Sequence, residues 1–422
     1  MLLVQIRDAL WGMPLISLLL VSGGYFSIRT GFFQLKPFYL LRRTVGTLFR
    51  QKKNRKEMLA SVSTALGGTV GIGSITGVAY GITVGGSGSL FWRWVSGFFG
   101  MALKYAEVFL AVKHRKKEGD GYVGGAPYAL REMGYGWLAV LFALLCIFAS
   151  FGVGNLTQIG ALTEAVTDLG VSPLLCGGCC ALLLAFAIGG GRERIGAWNT
   201  LLVPLASVIY LLVTTGILLA HLPLLPRVFA DILRNAFGVD AAAGGISGSL
   251  LALAMREGFA RGIFSNEAGV GSSPLAHASS GEGDPVRQGE WGGFEILADT
   301  FLVSTVTGLA LLCTGYTDVS RLFGFAFGGA GVVLFAGLVA VFAMASILSW
   351  CYYSEVCLQF LGIPYGETVY RFLCVGCALG GACLSMDTIW ILADLLGGLM
   401  IFPNLFLLFL KRNEVIYDRK GT

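Results

Sequence analysis

Two short glycine-rich stretches interrupt apolar segments, and their residues are of types that bind small charged molecules. They span 67–74 and 264–272, one in each half of the chain. Glycines let a backbone leave helical geometry at little steric cost. The freed N–H groups of such a break can bind a carboxylate, and the freed C=O groups can bind a cation. Close helix packing through small residues is the alternative, but the four glycines at 67, 68, 71 and 73 exceed what packing needs.

The second break is the more polar of the two. Ser265, Asn266 and Glu267 lie inside a stretch that is otherwise apolar. Ionisable residues at membrane depth are costly and usually functional. Glu267 can therefore carry a coupling ion or close the helix bundle through an ion pair, and the sequence leaves both roles open. Ser265 and Asn266 are the better ligand candidates because they carry no charge that needs compensation.

The overall composition is that of an integral membrane protein. Hydrophobic residues make up 55% of the chain and charged residues only 13%, against about 25% charged residues in soluble domains. The net charge of +5 is concentrated in a few loops, which argues against a nucleic-acid partner. The pairs Cys176/Cys179 and Cys374/Cys377 could be metal or redox sites, but their apolar setting favours helix packing.

Apolar segments of membrane-spanning length recur along the whole chain. Counting them with the length that a bilayer requires predicts about eleven helical spans. The first is interpreted as a retained span, because it lacks the basic start and cleavage site of a signal peptide. The predicted spans lie near 10–28, 58–85, 88–112, 137–169, 172–190, 198–221, 242–273, 287–313, 327–360, 366–384 and 386–410.

The basic residues predict the orientation and a two-fold plan. Lys and Arg cluster at 29–56 and 113–117, and alternate loops stay richer in them, so the positive-inside rule places the N-terminus outside and the C-terminus in the cytoplasm. Without the first span, each remaining half begins with one broken helix, which is typical of an inverted repeat. The predicted regions are an extra helix with its basic loop (1–57), two halves (58–221 and 242–411) and a tail (412–422).

Four charged side chains near the breaks are candidates for gating or coupling. Lys104 and Glu107 are one helical turn apart, so we expect an ion pair between them that is structural or part of an inner gate. Arg261 precedes the second break and is expected to pair with Asp387 or Asp394 as an outer gate.

Two longer motifs resemble the signatures of the alanine or glycine:cation symporter family. They are GMALKYAEV at 100–108, continued by LAVK at 110–113, and ARGIFSNEAG at 260–269. The resemblance covers nearly the whole chain. It implies a LeuT-type fold of two inverted halves with one extra N-terminal helix and broken first and sixth core helices. It also implies import of small neutral amino acids with sodium, sometimes with protons.

Individual residues follow the family pattern unevenly. Gln158 matches a substrate-facing glutamine, and Trp350 matches the aromatic residue that closes the side-chain pocket. The first break reads Gly-Ile-Gly-Ser at 71–74 where the family usually has Gly-Thr-Gly-Asn. Ala345 and Ser346 stand where the family usually has a serine and a threonine that help to bind sodium.

Taken together, these motifs predict three sets of residues. The predicted amino-acid site comprises Thr69, Gly71, Gly73, Ser74, Gln158, Phe264, Ser265, Asn266, Gly269 and Trp350. The predicted sodium ligands are carbonyl groups of Gly67, Val70 and Phe342 and the hydroxyl of Ser346. The predicted gating or coupling residues are Lys104, Glu107, Arg261, Glu267 and Asp394.

The sequence therefore predicts a plasma-membrane transporter that imports alanine or glycine with sodium by alternating access. A proton-coupled or otherwise altered permease of the same fold is the alternative, because of Ile72, Ser74 and Ala345. An enzyme is not expected, because neither H-E-x-x-H nor G-x-S-x-G occurs in the spans. A channel is disfavoured because no filter motif such as TVGYG occurs. No cofactor is expected. The predicted partners are the substrate and the bilayer, and the oligomeric state is open, with a monomer compatible.

Overall fold

The computed structural model describes residues 2–50, 55–119, 121–238 and 247–417, without the side chains of 47–50, 247 and 248. The start of the predicted span at 242–273, part of the basic loop at 51–54 and the end of the tail at 418–422 lie outside these residues.

The described part of the chain is almost entirely helical. The helices of the first half, in chain order, are α1 (Leu2–Leu10), α2 (Met13–Arg29), α3 (Pro37–Arg50), α4 (Arg55–Thr69), α5 (Thr76–Gly85), α6 (Gly88–Lys113), α7 (Ala126–Glu132), α8 (Gly136–Ala149), α9 (Thr157–Thr167), α10 (Pro173–Ile188) and α11 (Gly191–Ala220). Those of the second half are α12 (Leu225–Ala236), α13 (Ser247–Asn266), α14 (Pro274–His277), α15 (Pro285–Ile296), α16 (Thr305–Thr314), α17 (Val319–Phe327), α18 (Gly329–Leu361), α19 (Gly366–Gly381) and α20 (Met386–Leu410).

Four short 3₁₀ turns and one hairpin complete the described structure. The turns lie at Phe33–Leu35, Ile72–Ser74, Leu222–Leu224 and Arg412–Glu414. The hairpin pairs strands β1 (Lys116–Glu118) and β2 (Gly121–Val123) antiparallel, with Lys116 opposite Val123. Its outer positions are exposed, so the hairpin lies on the surface and contributes little to the core.

Seven helices of the described residues are long and apolar enough to cross a membrane, which makes the chain a multi-pass membrane protein. They are Leu2–Arg29, Gly88–Lys113, Gly136–Thr167, Gly191–Ala220, Pro285–Thr314, Gly329–Leu361 and Met386–Leu410. The other predicted spans correspond to shorter or interrupted helices: α4 with α5, α10, α13 and α19.

Both predicted breaks interrupt a helix. Helix α4 ends at Thr69, and regular helix resumes only at Thr76, after the 3₁₀ turn. Helix α13 ends at Asn266, and α14 begins only at Pro274. Gly269 and Gly271 between them have φ of +85° and +79°, a left-handed conformation that only glycine adopts without strain. Glu267, directly after the last residue of α13, already has a φ of +54°, and the two glycines keep the chain out of helical geometry after it.

Two membrane helices contain a π-helical stretch. Residues Ser150–Leu156 join α8 to α9, and Leu297–Ser304 join α15 to α16. A π-helical stretch rotates the side chains that follow it and often marks a functional site. Here one stretch directly precedes Gln158, and the other contains Asp299 and Thr300.

The basic segments meet at one end of the helix bundle. Arg29 donates hydrogen bonds to the backbone carbonyls of Asn413 and Val415 in the tail. Arg115 donates to the carbonyl of Ser280, 2.7 Å away, so the loop after α6 lies beside the loop after α14. The loops after α9, α16 and α19 line one cavity at the opposite end. The loops that line this cavity are different from those that carry the basic clusters.

Candidate functional site

The two helix breaks are in direct contact at Gly73 and Ser265. A Cβ atom at Gly73 would lie 2.9 Å from the Cα of Ser265 and 3.0 Å from the ring of Phe264. Such distances are shorter than any ordinary carbon–carbon contact, so only glycine allows this approach. The predicted substrate residues of the two halves are therefore neighbours.

The carboxylate of Asp299 lies where the breaks meet. The Ser265 hydroxyl donates to its Oδ1 at 2.6 Å, and the Ser74 hydroxyl donates to the same oxygen. Thr300 donates to Oδ2 at 3.0 Å, and all four side chains are buried. A fully buried carboxylate is costly unless such donors surround it. Asp299 thus joins the π-helical stretch of α15–α16 to both breaks.

Sequence reasoning missed Asp299, although a signal for it was present. It is an acidic residue inside an apolar segment, the same feature that singled out Glu267. Sequence reasoning also missed Arg93 in α6, which is likewise a charged residue inside an apolar segment. The Arg93 guanidinium donates to the carbonyls of Gly73 and Arg261 at 3.1 and 3.0 Å. It therefore satisfies carbonyl groups of both interrupted helices.

A second polar cluster lies around Lys104. The Lys104 ammonium donates to the carbonyl of Asn266 at 2.9 Å and lies 3.4 Å from Glu295 Oε2. Asn266 is the last residue of α13, and the carbonyls at a helix C-terminus favour a cation. Glu295 also contacts His277 and accepts a hydrogen bond from the Thr69 hydroxyl at 3.3 Å. This cluster joins the ends of both broken helices to α6 and α15.

The predicted ion pair between Lys104 and Glu107 is wrong. Glu107 accepts a hydrogen bond at 2.7 Å from the amide of Asn404 in α20, while Lys104 faces Asn266 and Glu295. Asn404 also donates to the carbonyl of Gly269 at 2.9 Å. The i,i+3 spacing allows a pair, but stronger tertiary partners hold each side chain. Asn404 of α20 consequently links Glu107 of α6 to the second break.

A small cavity of about 20 Å³ adjoins the second break, enough for about one water molecule. Its walls include Phe264, Glu267 and Trp350. Ser272 donates to one carboxylate oxygen of Glu267 at 2.7 Å, whereas the other is buried without a hydrogen-bond partner. The unsatisfied oxygen, Oε1, lies beside the first break, 3.1 Å from where a Cβ at Gly68 would be.

Gln158 and Trp350 lie on the α18 side of the first break. A Cβ at Gly71 would lie 3.9 Å from Gln158 Oε1, which has no hydrogen-bond partner. Gly154, in the π-helical stretch before Gln158, packs directly against Trp350. The side chains of Ser265 and Asn266 face another way, towards Asp299 and Thr300. The structure thus divides the predicted substrate residues between two sides of the breaks.

Two of the predicted sodium ligands are in contact. The Ser346 hydroxyl lies 2.8 Å from the carbonyl oxygen of Gly67, between the end of α4 and α18. A Cβ at Gly71 would lie 2.4 Å from the same hydroxyl. Val70 and Phe342 are also buried. Carbonyl and hydroxyl oxygens are hard donors and fit a hard cation such as sodium.

The Arg261 guanidinium contacts the carboxylate of Asp394, one of its two predicted partners. It also lies over the ring of Trp390, 4.4 Å from the ring centroid. Trp390 packs edge-on against Phe264 at 4.8 Å between centroids. Phe264 borders the small cavity, and Trp390 borders the cavity of about 700 Å³ that the loops after α9, α16 and α19 line. This aromatic pair therefore separates the two spaces.

Comparisons with known proteins agree on one family. The model of the sodium:alanine symporter family matches residues 1–420. An uncharacterised transporter of Haemophilus influenzae is 38% identical, covering 99% of this chain and 95% of its own length. The sodium/alanine symporter AgcS of Methanococcus maripaludis is 34% identical with the same coverage. The probable sodium/glutamine symporter GlnT of Bacillus subtilis is 33% identical over 96% of this chain and 86% of its own length.

Proposed function

Because the chain belongs to the sodium:alanine symporter family, we propose that it imports a small neutral amino acid, alanine or glycine, together with sodium. The observation that carries the proposal is the contact of two broken helices at Gly73 and Ser265, surrounded by buried polar groups. Membrane transporters bind substrate and coupling ion at such breaks. The names of the relatives, one a sodium/alanine symporter and one a probable sodium/glutamine symporter, support the same class of substrate.

The proposed architecture is the LeuT-type inverted repeat with about eleven spans. Its support is that helices occur in every predicted segment and that breaks follow α4 and α13. The proposed regions are 1–57, 58–221, 242–411 and 412–422. In the plasma membrane, the basic end of the bundle would face the cytoplasm and the N-terminus would lie outside.

For the substrate, backbone amides of the first break would bind the carboxylate. The free Oε1 atom of Gln158 would accept a hydrogen bond from the ammonium group of the substrate. Trp350 would limit the substrate to a small side chain. The cavity of about 20 Å³ beside the second break is too small for an amino acid, so substrate binding there would require it to widen. Opening from the outside would separate Trp390 from Phe264, as alternating access requires.

For the coupling ion, the carbonyls of Gly67, Val70 and Phe342 and the hydroxyl of Ser346 would hold sodium between α4 and α18. Sodium there would replace the hydrogen bond from Ser346 to Gly67 and fix the end of α4 against α18. A proton is the alternative coupling ion. The specific observations in its favour are the buried, unsatisfied Oε1 atom of Glu267 and the missing hydroxyl at Ala345.

Ligand-induced thermal stabilisation of the purified protein tests the proposal. A ligand at 100 times its Kd stabilises the folded protein by about 2.7 kcal/mol. We expect alanine or glycine to raise the Tm in sodium buffer and to have little effect in choline buffer. Equal stabilisation in both buffers would favour the proton-coupled alternative. No stabilisation by any amino acid in either buffer would contradict the proposed function.

Two variants test the site itself. Gln158→Ala and Ser346→Ala should each abolish the sodium-dependent rise in Tm while leaving the unliganded Tm close to that of the native protein. Thr83→Ala is the matched control, because its hydroxyl bonds only within α5, at 2.9 Å to Ala79. If Gln158→Ala or Ser346→Ala showed the native sodium-dependent rise in Tm, that residue would not be part of the binding site.

A further inference from the structure

Helix α3 has a buried side and an exposed side. Its buried side packs on the protein through Leu40, Arg43 and Thr44. Phe38 and Leu41 form an exposed apolar stripe, with 85% of Phe38 accessible. Arg42 is also exposed and lies one helical turn after Phe38, so its guanidinium borders this stripe. A helix with an exposed apolar stripe bordered by basic residues is typical of the membrane–water interface.

The charged residues of the segment that contains this helix are all basic. No acidic residue occurs between Arg29 and Lys56. The basic residues of this stretch are Arg29, Lys36, Arg42, Arg43, Arg50, Lys52, Lys53, Arg55 and Lys56. Basic clusters next to a membrane helix attract anionic lipids, with about 1 kcal/mol for each Lys or Arg close to the surface. The segment thus complements an anionic leaflet.

A cavity of about 380 Å³ opens at the start of α3. Phe33, Phe38, Tyr39 and Tyr417 supply aromatic walls, and Lys36 is the basic residue of its lining. Both Lys36 and Phe38 are exposed. An aromatic trough with an ammonium group at its edge fits the junction between an acyl chain and a phosphate.

We propose that α3 and this cavity bind an anionic phospholipid of the cytoplasmic leaflet. Lys36 and Arg42 bind the phosphate, while Phe38 and Leu41 lie among the acyl chains. The evidence for this occupant is the charge complementarity and the continuity of the cavity with the apolar stripe.

The lipid site is connected to the transport core. The Arg43 guanidinium lies 3.0 Å from the carboxylate of Glu290 in α15. A Cβ at Gly293 of α15 would lie 2.9 Å from the ring of Phe33, so the segment packs tightly on this helix. Helix α15 leads into the stretch that carries Asp299. Bound lipid therefore holds α15 in place, and this regulatory step rests on the proposed function.

Lipid retention tests the site without any transport measurement. Native mass spectrometry of the full chain, purified and mixed with equal amounts of phosphatidylglycerol and phosphatidylcholine, measures which lipid stays bound. We expect a preference for phosphatidylglycerol that falls at least about fivefold in Lys36→Gln/Arg42→Gln, since each charge near the surface contributes about this factor. The control is Lys116→Gln/Lys117→Gln, two exposed lysines on the same end of the bundle.

Three results would overturn the lipid site. They are equal retention of both lipids, an unchanged preference in Lys36→Gln/Arg42→Gln, and an equal loss in the control variant. Excess glycerol 3-phosphate, added as a soluble competitor, distinguishes a lipid site from a site for free phosphate. Complete displacement by this soluble compound would show a site for free phosphate and would also contradict the proposal.

Uptake in liposomes tests the regulatory step. We expect faster alanine uptake in vesicles with one fifth phosphatidylglycerol than in pure phosphatidylcholine, and Arg43→Gln should lose this difference while keeping its lipid preference. Equal native uptake in the two kinds of vesicle would contradict the regulation. Absence of uptake in both, with lipid preference intact, would contradict the proposed transport function and leave the lipid site standing.

Discussion

At the scale of single residues, the centre of the molecule depends on side chains that satisfy freed backbone and buried charge. The Lys104 ammonium donates to the carbonyl of Asn266 at the C-terminal end of α13. Arg93 donates to the carbonyl of Gly73, and Asn404 donates to that of Gly269. Buried backbone groups need such partners, because each unpaired group costs about 1–3 kcal/mol. These residues allow helices to be interrupted inside a membrane protein.

Asp299→Asn should lower the initial rate of alanine uptake by at least about tenfold. The amide cannot accept the hydrogen bonds of Ser74 and Ser265 as a carboxylate does, and hydrogen bonds to charged groups contribute about 1.5–3 kcal/mol. Uptake by proteoliposomes measures the effect. Asp387→Asn, in the cavity of about 700 Å³, is the control and should transport normally. Native rates in Asp299→Asn would show that this carboxylate plays no part in transport.

Exchanging the charges of Arg261 and Asp394 tests whether the two side chains form a pair. Arg261→Asp and Asp394→Arg should each lower the Tm strongly, because breaking a buried ion pair costs about 3–5 kcal/mol. The double variant should recover part of the loss, since opposite charges again face each other. A double variant no more stable than the weaker single variant would argue against the pair.

At the scale of elements, the breaks and the π-helical stretches act together. Each break brings backbone groups to the centre, and each π-helical stretch turns a polar side chain towards a break: Gln158 towards Gly71 and Asp299 towards Ser74 and Ser265. The two π-helical stretches thus place polar side chains on two sides of the breaks.

Gly73→Ala should prevent the two broken helices from meeting. The new methyl group would lie 2.9 Å from the Cα of Ser265, and backbone at that distance has to move. We expect loss of the alanine-induced rise in Tm. Gly376→Ala in α19 is the matched control, because no neighbouring atom lies within 4 Å of its Cβ, and helix propensity favours alanine by about 1 kcal/mol. A normal ligand response in Gly73→Ala would contradict the close contact.

At the scale of the whole molecule, the basic end of the bundle is held together by the tail. Glu414 contacts Lys411 at 2.6 Å, His114 at 2.9 Å and Lys113 at 3.0 Å. Partial burial alone would raise the pKa of Glu414, but hydrogen bonds from Lys411, Lys113 and His114 outweigh it and lower this pKa to about 2. The tail is thereby attached to the end of α6.

The depressed pKa of Glu414 predicts the pH range in which the tail stays attached. A carboxyl group of this kind stabilises the folded form above its ordinary pKa of about 4.5 and loses the effect as pH falls towards about 2. Hydrogen exchange of residues 412–416 should therefore lose protection progressively as pH falls from about 4.5 towards about 2. Glu414→Gln should exchange faster at neutral pH. Equal protection in the variant would show that this carboxylate does not hold the tail.

Part of this molecule follows directly from the sequence. Apolar segments of bilayer length predict helices where the structure has them, because a spanning backbone must satisfy its own hydrogen bonds. Glycine runs predict the two breaks, since glycine relieves the steric cost of leaving a helix. The motifs at 100–113 and 260–269 predict the family that the comparisons confirm. Each of these inferences depends on local patterns alone.

The partners of the buried charges were decided only by the tertiary structure. Spacing allowed Lys104 to pair with Glu107, yet Lys104 contacts Asn266 and Glu295, while Glu107 contacts Asn404, far along the chain. Asp299 likewise accepts hydrogen bonds from Ser74 and Ser265, one serine from each break. Burial makes each charge take the best-placed donor or acceptor in three dimensions. The sequence by itself therefore determined where the helices break, and only the folded chain determined which side chains meet there.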